Sequence, residues 1–155
     1  PNWYGSCEVK SLSGKNIAVL VQDRYTKNDE QSMYGAVPGN LTSKSVFVPL
    51  VAKRLANGFA NTVNIQNLGG TTATLTITYV PEGGGDSIVR SGISVPPGAN
   101  YMRNFRLAAT EASDMPDGWV GSMVIESNTP IAAFVQNTYL TPYGDRLMAY
   151  LGFNH

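Results

Sequence analysis

Thr74-Leu75-Thr76-Ile77-Thr78-Tyr79 alternates hydroxyl and apolar side chains without a break. Successive side chains of an extended strand leave opposite faces, so Leu75, Ile77 and Tyr79 share one face and three threonines the other, as in a half-buried strand. Val63 and Ile65 alternate with Asn64 and Gln66 in the same way, and helical spacing is hard to find anywhere. Gly and Pro clusters separate such runs: Val37-Pro38-Gly39-Asn40, Leu68-Gly69-Gly70, Pro81 to Asp86, Pro96-Pro97-Gly98 and Met115-Pro116-Asp117-Gly118 all read as turns. The expected strands are 3–10, 16–25, 32–37, 46–51, 61–67, 72–80, 87–95, 100–106, 119–127, 130–139 and 146–153, with 107–113 read as a connection. About ten or eleven short strands at this spacing point to an all-β antiparallel sandwich or barrel, and the expected form is an Ig-like or jelly-roll-like β-sandwich.

The 155 residues carry 11 basic and 11 acidic side chains, one Cys and one His. Charged residues are 14% of the chain, against roughly 25% in an average soluble domain, so hydroxyls and amides do most of the solubilising. A sequence-independent nucleic-acid binder needs a basic surplus that is missing here. No apolar run approaches the roughly 20 residues of a membrane helix, so no membrane insertion is expected. Cys7, the single cysteine, has no intramolecular partner. Pro1 in place of an initiator Met fits a processed mature end, a trimmed chain or a piece of a longer one.

An internal repeat organises the chain. Trp3-Tyr4-Gly5-Ser6-Cys7-Glu8-Val9-Lys10-Ser11 matches Trp119-Val120-Gly121-Ser122-Met123-Val124-Ile125-Glu126-Ser127 without a gap. Ile17 to Tyr25 then matches Ile131 to Tyr139, and Met33-Tyr34-Gly35 answers Ala149-Tyr150-Leu151-Gly152. One repeat is about as long as an Ig-like domain. The chain therefore divides into a partial repeat of three strands, 1–39, and a complete sandwich repeat, 40–155. Cys7 and Val9 align with Met123 and Ile125, which puts them on the core face and makes Cys7 a buried, inert small hydrophobe.

With Val46 to Val51, Thr62 to Gly69, Ile93 to Gly98, Gly118 to Ser122, Pro130 to Ala133 and Ala149 to Phe153 laid out in this order, the chain resembles the Ig-like β-sandwich repeats found in tandem in secreted and cell-surface proteins of filamentous bacteria, especially the Chloroflexota. The resemblance covers 46–153, and 2–37 match the C-terminal third of the same unit. It implies an extracellular structural or adhesive module, and it brings no catalytic residues with it.

Chemistry is sparse. His155 is the only histidine and stands at the end of the chain, a poor foundation for a metal site or a Ser-His-Asp arrangement. Gly83-Gly84-Gly85 lacks the Lys and Ser/Thr of a phosphate loop and reads as a hairpin tip. Asp114 with Asp117, and Glu82 with Asp86, offer two carboxylates each where calcium takes six to eight oxygens. Lys44, Lys53, Asn137 and Glu126 include the residue types of Lys–Asn isopeptide crosslinks, which require burial of all partners. Trp3, Trp119, Tyr101, Tyr139 and Tyr143 are aromatics that stack on sugars when exposed; the two Trp sit at equivalent strand starts, where they suit the end of a core. No catalytic residue, cofactor or metal is expected.

A partial set of strands exposes sheet edges and an apolar face. Val9, Val19, Val21, Tyr25 and Tyr34 are the expected intersubunit strand contacts, and Tyr143 and Asn40 (in Asn40-Leu41-Thr42, an N-glycan acceptor pattern) the expected glycan or partner contacts. The expected function is a non-catalytic, secreted structural subunit of a filament, sheath or surface layer, binding copies of itself. The alternatives are a carbohydrate-binding or adhesion module that recognises cell-surface polysaccharide, or a viral coat or fibre protein.

Overall fold

A strand with one apolar face needs neighbours along its edges and a second layer over that face. The computed structural model describes residues 5–25, 30–107, 115–139 and 147–154, and among these ten strands meet both needs to different degrees. β1 (Leu20–Tyr25) and β2 (Glu30–Gly35) make a two-stranded antiparallel hairpin. A 3-10 turn at Gly39–Leu41 leads on to β3 (Ser43–Lys53), β4 (Phe59–Asn67), β5 (Ala73–Pro81), β6 (Ile88–Val95), β7 (Asn100–Asn104), β8 (Trp119–Tyr139), β9 (Met148–Leu151) and β10 (Phe153–Asn154).

β8 changes partners along its 21 residues. Gly121 to Glu126 lie between β3 and β5, whereas Phe134 to Asn137 lie between β4 and β9. The strand is thus shared by two layers, β6-β5-β8-β3-β10 and β7-β4-β8-β9, and the corner between them falls where it passes from one pair of partners to the other. At the opposite side β9 belongs to one layer and β10 to the other, with Gly152 between them. A Cβ at Gly152 would stand 2.5 Å from Val46 Cγ1, so the crossing needs a bare backbone. Between the layers, Val46, Val48, Val63, Ile65, Leu75, Ile77, Tyr79, Met123, Ile125, Ile131 and Val135 form a continuous core, each at most 1% exposed. Leu75, Ile77 and Tyr79 all face it, as the threonine alternation requires.

Two expectations are corrected. The stretches 119–127 and 130–139 are one strand, although Ser127-Asn128-Thr129-Pro130 has the composition of a turn. Here those side chains satisfy the backbone of a bend: Thr129 N–H donates to Ser127 Oγ and Thr74 N–H to Asn128 Oδ1, while the Pro130 carbonyl accepts from Leu68 N–H. Proline sits where β8 leaves one ladder for the next and no donor is needed. The second correction concerns 3–10 and 16–25. Residues 5–19 have no strand, β1 begins only at Leu20, Cys7 is exposed and Val9 is 55% exposed, so neither lies on a core face. Their counterparts in β8 become a strand because β3 and β5 flank them, and no described strand flanks residues 5–11.

Buried amides tie the layers. Asn67 donates through Nδ2 to the Thr71 and Val95 carbonyls and accepts at Oδ1 from Gly69 N–H and Thr129 Oγ1. Asn61 donates to Asn137 across the β4–β8 ladder and accepts from Ala52 N–H of β3. Packing is tightest at Gly121, where a Cβ would lie 2.1 Å from the Val80 carbonyl oxygen and 2.5 Å from the Trp119 ring. Backbone cannot yield as a flexible side chain can, so Gly121→Ala is expected to lose about 2–3 kcal/mol of stability. Thermal denaturation followed by circular dichroism checks this, with Gly83→Ala, whose Cβ meets nothing within 4 Å, as the unaffected control.

Candidate interaction surface

The N-terminal hairpin copies the pairing of β8 with β9 residue for residue. Leu20 pairs with Gly35, Val21 with Tyr34, Gln22 with Met33 and Asp23 with Ser32. The repeat maps these onto Phe134 with Leu151, Val135 with Tyr150, Gln136 with Ala149 and Asn137 with Met148, which are the observed β8–β9 pairs. Because cross-strand partners share a face, Val21, Asp23, Ser32 and Tyr34 form one side of the hairpin and Leu20, Gln22, Met33 and Arg24 the other. In β8 and β9 the first side is the core side, with Val135 fully buried.

That side turns towards the chain's own sandwich. The Tyr34 ring stacks on Phe134 at 4.1 Å between centroids, and Ser32 and Glu30 are buried. Phe134 points away from the core, since its neighbours Ala133 and Val135 point into it. The hairpin's inner side thus rests on the outside of β8 at this point. Partial burial raises the pKa of the Asp23 carboxyl, and burial followed by the nearby Asp23 charge raises that of the Tyr34 phenol. Val19 and Val21 are half-buried, while Leu20 (67%) and Met33 (59%) face outwards. Ahead of the hairpin Val9, Leu12 and Ile17 are exposed, and Ser6 Oγ donates to the Gly98 carbonyl. Of the expected strand contacts, then, Tyr34 is engaged within the chain, Val9 stands outside any strand, and the Tyr25 side chain lies outside the described residues. So do Trp3, Tyr143 and His155.

A second surface was not anticipated. The ladders link Phe153 to Phe47, Phe47 to Val124, Val124 to Thr78 and Thr78 to Val89, one line of side chains across β10, β3, β8, β5 and β6. All point outwards, because Val46, Val48, Met123, Ile125, Ile77 and Tyr79 on either side of them point in. Phe153 is 59% and Val89 55% exposed. Beside this line Phe47, Pro49, Leu50, Val80 and Val120 frame a shallow depression. On β3, β5 and the first half of β8, the other outward side chains are mainly threonines and serines, with Glu126 as a carboxylate. The alternation that identified β5 registered its polar side; the line of phenylalanines and valines emerges only when registers across five strands are known.

The remaining candidates are structural. Trp119 packs edge-on against Tyr79 at 6.2 Å. Tyr101 and Tyr79 hydroxyls receive hydrogen bonds from the buried Arg103 guanidinium, which also lies 5.8 Å from the Phe105 centroid. Burial lowers the Arg103 pKa, but the two tyrosines outweigh it and the net shift is upward. Lys53, 3% exposed, donates to the Met115 carbonyl at 2.7 Å and lies 3.9 Å from Asp117. Asp117 also accepts from Arg54, a residue at φ +47°, and is thus engaged with cations of the chain. Lys53 and Asn137 are both buried but bond elsewhere, and Lys44 and Glu126 are exposed, so the crosslinking set is not assembled. Asn40 is exposed in the 3-10 turn. Among the described residues no three His, Cys, Asp or Glu stand close enough to hold a metal, and no helix is long and apolar enough to cross a membrane.

No protein-family model and no curated protein matches the chain. Among solved structures, Thermotoga maritima 1070 is similar in fold: its crystal structure matches at TM-score 0.57 and 20% identity over 73% of this chain and 95% of that one. The Anabaena sensory rhodopsin transducer matches at TM-score 0.47 and 24% identity, over 63% of this chain and 89% of that one. The Thermotoga chain is matched almost whole, which leaves about a quarter of this chain outside the shared fold.

Tyr150, the copy of Tyr34, donates to the Leu50 carbonyl at 2.6 Å, and burial pushes its pKa up to about 12. The folded state then favours the neutral phenol more than the unfolded chain does. Its contribution is complete below pH about 10 and is lost as pH rises through about 12. Urea unfolding at pH 8 and pH 11.5 is expected to show a fall in stability that Tyr150→Phe reduces by about 1 kcal/mol, discounted for the ring's partial exposure.

Proposed function

We propose that the chain is a non-catalytic, extracellular structural protein, a subunit that associates with its own kind into a filament, sheath or surface layer. The observation that carries this reading is the outward line Phe153–Phe47–Val124–Thr78–Val89, a mainly apolar stripe across the outer face of five strands. Apolar sheet faces pack on one another about 10 Å apart, and each removes from water the surface the other exposes. Zero net charge leaves little long-range repulsion between copies. The edges support the same reading. β1 has β2 as its described partner on one side alone, so its other edge offers backbone groups for strand pairing with a neighbour. β6, at the rim of the sandwich, is blunted instead: Ser91 and Gly92, the latter at φ +74°, bulge out of register opposite β5. Association through the face is thereby favoured over association through that rim.

Size-exclusion chromatography with light scattering and negative-stain microscopy test the reading. The full chain is expected to form concentration-dependent assemblies. Phe47→Glu, which faces outwards and leaves the core intact, is expected to reduce them at least tenfold at equal concentration, and removal of 1–37 to shorten them. A full chain that stays monomeric at millimolar concentration overturns the proposal.

A further inference from the structure

Residues 5–35 copy strands that residues 43–107 hold in place within the sandwich, yet among the described residues no such body holds the copy. Met123, Ile125, Ile131, Ala133 and Val135 are each at most 2% exposed. Their counterparts are Cys7, exposed; Val9, 55% exposed; Ile17, 51% exposed; and Val19 and Val21, half-buried. The hairpin keeps the β8–β9 register all the same. Polar positions agree too. Tyr34 stands where Tyr150 donates to the Leu50 carbonyl, and Asp23 stands where Asn137 accepts from Asn61, a bond a carboxylate accepts equally well.

We propose that residues 5–35 are the closing strands of a second sandwich, and that their cover is a second β3–β7 body: five strands of the 43–107 kind that lack a β8 and β9 of their own. This rests on the reading of the chain as an assembling subunit whose copies meet through the sheet face, and it gives the N-terminal segment an acceptor other than an intact copy. In the docked state 5–11 run between the counterparts of β3 and β5, which supply the missing ladder partners. Ile17, Val19 and Val21 enter the new core, and Tyr34 leaves Phe134 for the carbonyl equivalent to that of Leu50. An intact second copy is not the acceptor, because its own β8 and β9 fill the slot. A sugar or lipid surface offers no strands to pair with 5–11.

The test is a chain in which a second copy of residues 40–116 is placed directly ahead of residue 1. Pro1-Asn2 then fall where Asp117-Gly118 stand, and the repeat spacing is preserved. Cys7 is exposed and is expected to react readily with a maleimide in the parent chain; in the extended chain its reaction is expected to slow at least about 100-fold, with amide exchange slowed across 5–25. Val21→Asp in the extended chain, which puts a charge at the counterpart of Val135, is expected to restore fast reaction of Cys7. The proposal is overturned if Cys7 reacts at the parent rate while amides of 43–139 remain protected, if the added segment stays unprotected, or if Val21→Asp leaves Cys7 shielded. Assembly of the parent chain, followed by light scattering, judges the structural-subunit reading separately: filaments from the parent together with a reactive Cys7 in the extended chain sink this inference alone.

Discussion

Everything in the sandwich hangs on β8. One strand of 21 residues gives its first half to β3 and β5 and its second half to β4 and β9, so it is an interior member of both layers. Its inward side chains, from Met123 to Val135, run the length of the core, and every other strand of the sandwich reaches that core either beside β8 or beside one of its partners. The corner at Ser127 to Pro130 is where the strand changes partners, and the amide of Asn67, bonded to Thr129, to the Thr71 carbonyl ahead of β5 and to the Val95 carbonyl at the end of β6, braces it.

The same local pattern meets two fates in this chain, and the contrast isolates what makes a strand. Trp119 to Ser127 and the matching N-terminal residues share Trp, Gly, Ser and a terminal Ser, with apolar side chains at alternate positions. The first becomes β structure with both edges paired, while 5–11 stay irregular. Backbone groups in an extended segment need partners, and those come from β3 and β5, which the N-terminal copy lacks. The hairpin β1–β2, whose partners are local, forms in both copies with one register. Side-chain alternation is thus a necessary signal, and the presence of a mate decides.

That division explains which parts of the molecule could be read from residues alone. The threonine alternation located β5, the Gly and Pro clusters located most strand ends, and the fold class followed. Ser127-Asn128-Thr129-Pro130 misled because its residues favour turns by bonding to nearby backbone, and here they use the same bonds to support a bend within one strand. Cys7 and Val9 misled because burial was transferred from one copy to the other, although burial belongs to the assembled layers. The apolar line from Phe153 to Val89 draws its members from five strands far apart in sequence, and no window of residues contains it.

The sequence distances within the sandwich bear on how it folds during synthesis. β3 leaves the ribosome before its long partner, β8, which comes more than sixty residues later, as the pairing of Phe47 with Val124 and of Lys53 with Trp119 shows. Loop closure over such distances slows folding. Until β8 emerges, β3, β4 and β5 carry valines and isoleucines with a vacant place between them, and the chain already made includes Ile17, Val19 and Val21, side chains of the shape that place accepts.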